Sequence, residues 1–82
     1  MSKTLRLEII HPDRRVYEGQ AAMVIVRATT GELGILPGHA PLVARLDVRP
    51  VRIQNEEGEL QLPVNGGILL VKPDLVTILS AY

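Results

Sequence analysis

Few residues in this 82-residue chain could act as acid, base or nucleophile. The histidines are His11 and His39, and there is no cysteine. The candidate hydroxyls are Ser2, Ser80, Thr4, Thr29, Thr30 and Thr77, and none sits in a nucleophile elbow. His39 as a general base would want a carboxylate, and Glu32 is the nearest candidate. A small hydrolase built on that pair would still need a nucleophile or a metal, and neither is convincingly offered. The plainer role for His39 is to hydrogen-bond loop backbone and shape a turn. His11, which precedes Pro12, is a solvated turn residue on the same reasoning. Two histidines without patterned acidic neighbours make a weak metal site, and thiolate ligands are excluded. Gly31, Gly34 and Gly38 fit neither the dinucleotide fingerprint nor the P-loop; no Lys-Ser or Lys-Thr follows, and no helix begins there. No catalytic, cofactor-binding or metal-ligating residue is therefore assigned.

Composition narrows the partners. Nine basic and nine acidic residues give zero formal charge, so bulk attraction to nucleic acid or anionic lipid is disfavoured. Phe and Trp are absent and the two tyrosines are Tyr17 and Tyr82, so there is no aromatic platform for stacking bases or sugars. No run approaches the roughly 20 apolar residues of a membrane span, and direct membrane insertion is not expected. The stretch Met1 to Leu5 lacks the apolar core of a signal peptide. Disulfides are excluded, and cytosolic residence is permitted.

The elements that must position these residues are strands. Glycines and prolines are spread so evenly that no stretch free of both exceeds eleven residues. No segment combines helical length with a 3.6-residue period; the period present is two. Leu5, Leu7 and Ile9 alternate with Arg6 and Glu8 over Thr4 to Ile10, and His11-Pro12-Asp13 turns the chain. Arg15 to Glu18 forms a short strand closed by Gly19. Ala21 to Ala28 is apolar on both faces and is expected to be the most buried strand. Further strands follow at Leu42 to Leu46, Val51 to Gln54, Glu59 to Val64, Ile68 to Lys72 and Leu75 to Leu79. Pro50 suggests an edge or bulge, Asn55 to Gly58 a hairpin loop, and Asn65-Gly66 a type I′ hairpin turn. Leu60, Leu62 and Val64 are expected to point inward.

Between the third and fourth of these strands, Gly31 to Leu42 holds three glycines and two prolines in twelve positions. Neither a helix nor a long regular strand can run through it. Leu33, Ile35 and Leu36 are costly in a loop unless covered, so they either fold back as a lid or meet another protein. The chain reads as one all-β domain over residues 1–82, a sandwich or barrel of short strands. A small-molecule-binding sandwich would need converging polar groups inside, but the inward positions are nearly all Val, Ile and Leu.

Gly31-Glu32-Leu33-Gly34-Ile35-Leu36-Pro37-Gly38-His39-Ala40-Pro41-Leu42 resembles the signature loop of the epsilon subunit of F-type ATP synthases. Leu5 to Ile10 with His11-Pro12-Asp13 is similar to that family's first strand and turn, Val16-Tyr17-Glu18-Gly19 to its second strand, and Asn65-Gly66-Gly67-Ile68-Leu69 to its hairpin before the closing strands. The resemblance spans essentially the whole chain. It implies a flattened β-sandwich of about ten short, mostly antiparallel strands. It implies a non-catalytic rotor subunit in the central stalk, coupling the gamma subunit to the ring of membrane-embedded c subunits. By family position Thr30, Gly31, Glu32, Leu33 and Gly34 face the ring, with Glu32 the charged contact. His39, Ala40, Pro41 and Leu42 lie nearer gamma. The implied location is peripheral, on the cytoplasmic face of a bacterial inner membrane or its equivalent. Family members usually continue into a two-helix C-terminal domain that restrains ATP hydrolysis and sometimes binds ATP. This chain ends at Ser80-Ala81-Tyr82, so no helical hairpin, no inhibition and no ATP binding are carried over.

Overall fold

The computed structural model describes residues 3–81. Ser2, a candidate hydroxyl, and Tyr82, one of the two aromatic residues, lie outside the described residues. Nine strands follow one another: β1 (Leu5–His11), β2 (Arg14–Ala21), β3 (Met23–Ala28), β4 (Gly31–Ile35), β5 (Leu42–Leu46), β6 (Val51–Asn55), β7 (Gly58–Leu62), β8 (Gly67–Val71) and β9 (Leu75–Ser80). That is nine strands among the described residues rather than about ten, and no helix among them.

The strands make one hydrogen-bonded sheet in the order β2-β1-β9-β8-β5-β3-β6-β7, with β4 paired to β3. Only β1 and β9 run parallel. The sheet folds over at one residue pair, Ala28 opposite Leu46. On one side lie β2, β1, β9, β8 and β5; on the other lie β4, β3, β6 and β7. Inward side chains from both sides form one aliphatic core, including Leu5, Leu7, Ile9, Val24, Ile35, Ile53, Leu69 and Ile78. Each such side chain contributes about 1.5–3 kcal/mol by leaving water, which is how so small a domain holds together. The shape is flat, 35 × 23 × 17 Å.

The second crossing between layers is at Ala22. Its N–H is donated to the Gln54 carbonyl at 2.8 Å and to the Asn55 side-chain oxygen at 3.1 Å. The Asn55 amide then donates to the Gln20 carbonyl at 3.1 Å. Asn55 thus ties β2 to β6 as well as ending the β6–β7 hairpin.

Five sequence expectations change. The Gly31 to Leu42 stretch is not all loop: its first five residues are β4, held against β3 from Ala28–Gly31 to Val24–Ile35. A preformed neighbour supplies ladder bonds that local glycines do not forbid. Asn65-Gly66 does not close a hairpin, because β7 and β8 belong to different layers and do not pair. Asn65 does not have positive φ, whereas Gly66 (φ 73°) and Gly67 (φ 120°) do. A Cβ on Gly67 would run into the Leu79 carbonyl oxygen, so glycine is needed there for close approach to β9. β3 is not buried on both faces; Val24, Val26 and Ala28 are buried, whereas Arg27 is exposed and Ile25 half-buried. Pro50 precedes β6, which is flanked by β3 and β7 rather than lying at an edge. β2 also continues through Gly19 to Ala21, with the Tyr17 ring lying over Gly19.

Candidate docking faces

β4 carries the two halves of the signature stretch to opposite ends of the sandwich. At one end the Thr29 N–H is donated to the Arg45 carbonyl and the Asp47 N–H to the Arg27 carbonyl, at 3.0 and 2.9 Å. Thr30 and Gly31 lie at this end, beside the β5–β6 loop. At the other end the Gly38 N–H is donated to the Pro73 carbonyl at 2.7 Å. His39, Ala40, Pro41 and Leu42 lie there, beside the β8–β9 turn. Residues contiguous in sequence therefore lie at two separate ends of the sandwich.

That separation also removes the hydrolase arrangement. Glu32 stands on β4 opposite Arg27. His39 donates its backbone N–H to the Leu36 carbonyl at 3.1 Å, and its Nδ1 lies 2.7 Å from the Ala40 carbonyl oxygen. Its bonds shape the turn, as the plainer role required. Among the described residues no group of three His, Cys, Asp or Glu side chains could hold a metal ion.

The aliphatic residues of the signature stretch part company. Ile35 is fully buried (0% exposed) and belongs to the core, and Leu33 packs against it. Leu36 alone is open, at 55% exposure. Ile35 is neither lid nor contact; the alternation along β4 turns it inward.

Two outward faces complete the geometry. On the larger layer, strand register places Val43 beside Leu70 and Thr77, and Arg45 beside Ile68, Leu79 and then Ile10. Val43 is 70% exposed and Leu79 40%. The β1–β2 part of this face is charged: Arg6 meets Glu18 at 2.7 Å, and Thr77 donates to Glu8 at 2.8 Å. The Arg6 guanidinium holds the Glu18 carboxyl below the usual carboxylate range. An apolar field on β5, β8 and β9 thus adjoins a charged field on β1 and β2.

On the smaller layer, Arg52 grips Glu59 through Nε and Nη2 at 3.2 and 2.9 Å, while Gln54 and Gln61 donate to the same carboxylate at 2.8 and 3.0 Å. These donors push the Glu59 carboxyl down from 4.5 to about 2. Arg27, Glu32, Arg49 and Pro50 complete a shallow groove beside this network.

Sequence reasoning did not single out Val43, Ile68, Leu79, Arg27, Arg49 or Arg52. The signal for the first three was present: apolar residues occupy both parities of β5, β8 and β9, although one parity already fills the core. The arginine cluster had no local signal, because register alone brings β3, β6 and the β5–β6 loop together.

Comparison with known proteins matches a family model described as ATP synthase, Delta/Epsilon chain, beta-sandwich domain, over residues 4–81. The ATP synthase epsilon chain of Alkalihalophilus pseudofirmus is 51% identical over 94% of this chain and 58% of its own length. That of Brevibacillus brevis is 49% identical over 98% of this chain and 61% of its own. The chain thus spans about three fifths of the curated relatives it matches. In a cryo-EM structure of Euglena gracilis mitochondrial ATP synthase containing OSCP, F1 and the c-ring, one chain superposes with a TM-score of 0.87 at 24% identity, over 96% of this chain and 51% of that one. A chain in the central stalk and c-ring of Tetrahymena thermophila mitochondrial ATP synthase gives 0.73 at 14% identity, over 99% of this chain and 66% of that one. These two likenesses bear on the fold, which they share. With its family model matched across nearly every residue, the chain belongs to the β-sandwich domain family of ATP synthase delta and epsilon chains.

Proposed function

We propose that this chain is a non-catalytic rotor component of an F-type ATP synthase, clamping the gamma subunit to the c-subunit ring so that torque passes between them. The observation that carries the reading is the outward apolar field of Val43, Ile68 and Leu79, on a domain whose family is that of the ATP synthase delta and epsilon chains. A strand face that is apolar on both sides asks for a cover. Gamma is that cover, reaching from the field to His39, Ala40, Pro41 and Leu42. Thr30, Gly31, Glu32, Leu33 and Gly34, at the other end, face the polar loops of the ring.

The form suits the task. A close-packed aliphatic core with strands tied at Ala22 and Asn55 yields little under load. The chain's own groups supply no chemistry to this role; they bind and hold. No helix among the described residues is long and apolar enough to cross a membrane. Contact with the membrane surface, on its cytoplasmic side in a bacterium, comes through the ring.

The test is to mix the chain with the gamma subunit of the same organism and measure mass by size-exclusion chromatography with light scattering. A one-to-one complex is expected. Two folded proteins that elute separately would overturn the reading.

A further inference from the structure

The groove on the smaller layer is a second charged surface that the gamma and ring contacts above do not use in full. It holds about 350 Å³ and is floored by Ile25, with Arg27 and Glu32 on one side, Arg52 and Gln61 on another, and Arg49 with Pro50 closing the end. Register explains the gathering. Glu32 of β4 stands opposite Arg27 of β3, and Ile25 of β3 opposite Arg52 of β6, which stands opposite Gln61 of β7.

The charges are not balanced. Three guanidiniums, Arg27, Arg49 and Arg52, share two carboxylates, Glu32 and Glu59. Glu59 is already engaged by Arg52, Gln54 and Gln61. Arg27 and Arg49 make no side-chain hydrogen bond or ion pair among the described residues. Among the groove's own charged groups the guanidiniums are thus in excess by one. Arg52 is oriented by its network, which stiffens one wall.

We infer that this groove takes a carboxylate side chain from a protein partner in the rotor, seated between Arg27 and Arg49 above Ile25. Charge complementarity selects the carboxylate, and guanidinium forks bind it in defined geometry. Glu32, in the same groove, would repel a multiply charged phosphate. It instead accepts a hydrogen bond from an amide or hydroxyl of the same partner segment. A protein loop carrying an acid beside a donor satisfies both signs; a free polyanion satisfies one. The inference rests on the rotor reading and adds to it an acidic partner group seated beside the Glu32 contact.

The experiment measures affinity of the full chain for the same organism's gamma and c-ring subcomplex, at about 50 and about 200 mM salt. Arg27→Glu and Arg49→Glu are each expected to weaken binding at least about tenfold at the lower salt, with a smaller loss at the higher. Arg27→Gln should lose less than Arg27→Glu. Lys3→Glu makes the same charge change away from the groove and should stay within about twofold of the parent. All four side-chain changes are at exposed positions, so thermal melting should match the parent and show that the variants fold. Parent-like binding by both reversed variants would overturn the inference while leaving the rotor reading intact. No binding by the parent would overturn both. Binding of inorganic phosphate to the free chain, abolished by Arg27→Glu, would make the groove a small-anion site and also overturn the inference.

Discussion

On the outer face of β6 and β7, each long polar side chain has found another: Arg52, Gln54 and Gln61 all converge on Glu59. On the outer face of β5, β8 and β9, Val43, Ile68 and Leu79 leave apolar surface open to solvent in the isolated chain, Val43 most of all. Both faces lie over the same aliphatic core, so folding alone does not require the difference. A network that satisfies itself is comfortable in water. An apolar field gains free energy only when something covers it. The contrast separates the Glu59 network, whose members satisfy one another, from an apolar field that only a partner can cover.

The largest effect comes from removing what both faces share. Ile78 is fully buried on β9, beneath the apolar field. Ile78→Ala should cost about 2–5 kcal/mol in urea unfolding, a large part of the stability of a small domain. Both faces should fail together. Loss of gamma binding in a variant of unchanged stability would show that Ile78 acts on the surface rather than through the core.

Val43→Asp tests the apolar face alone. At 70% exposure the substitution should shift stability by less than about 0.5 kcal/mol. Affinity for gamma should fall at least about tenfold, since a buried unpaired carboxylate is strongly disfavoured at an interface. Equal loss of folding and binding would make Val43 a structural residue. Titration calorimetry beside a thermal melt separates the two.

The smallest effect belongs to the self-satisfied face. The Glu59 carboxyl is depressed from 4.5 to about 2, first by its bond to Arg52 and then by Gln54 and Gln61. A depressed carboxylate stabilises the folded chain above pH 4.5, and that contribution is lost as pH falls towards about 2. Glu59→Gln lacks it, so its melting temperature should decline less steeply across that window. The difference should be small, because the group is exposed and screened. Parallel curves would show that the network contributes nothing to folding.

How much of this was legible depended on whether a feature was local. The alternation of Leu5, Leu7 and Ile9 declared a half-buried strand, and Leu42 to Leu46 has the same bounds in the fold as in the sequence. The signature stretch identified the family whose model matches residues 4–81. β4 was hidden, because Gly31 and Gly34 weaken a strand by themselves and only pairing with β3 makes one. Asn65-Gly66 misled for the opposite reason. A turn signal reports local φ, not which strands meet, and here the chain crosses between layers. The Arg27, Arg49 and Arg52 groove needed register across three segments, which no local pattern contains. Glu32 and His39 lie close in sequence yet at opposite ends of the sandwich, because an intervening strand spends its length on distance.

The most direct measurement is coupling itself. Vesicles carrying the same organism's ATP synthase, depleted of its epsilon subunit, would be supplied with this chain, and ion pumping recorded against ATP hydrolysis. Restored pumping per ATP hydrolysed is the expected result. Hydrolysis with pumping still absent, while the added chain is folded and present, would contradict the rotor role.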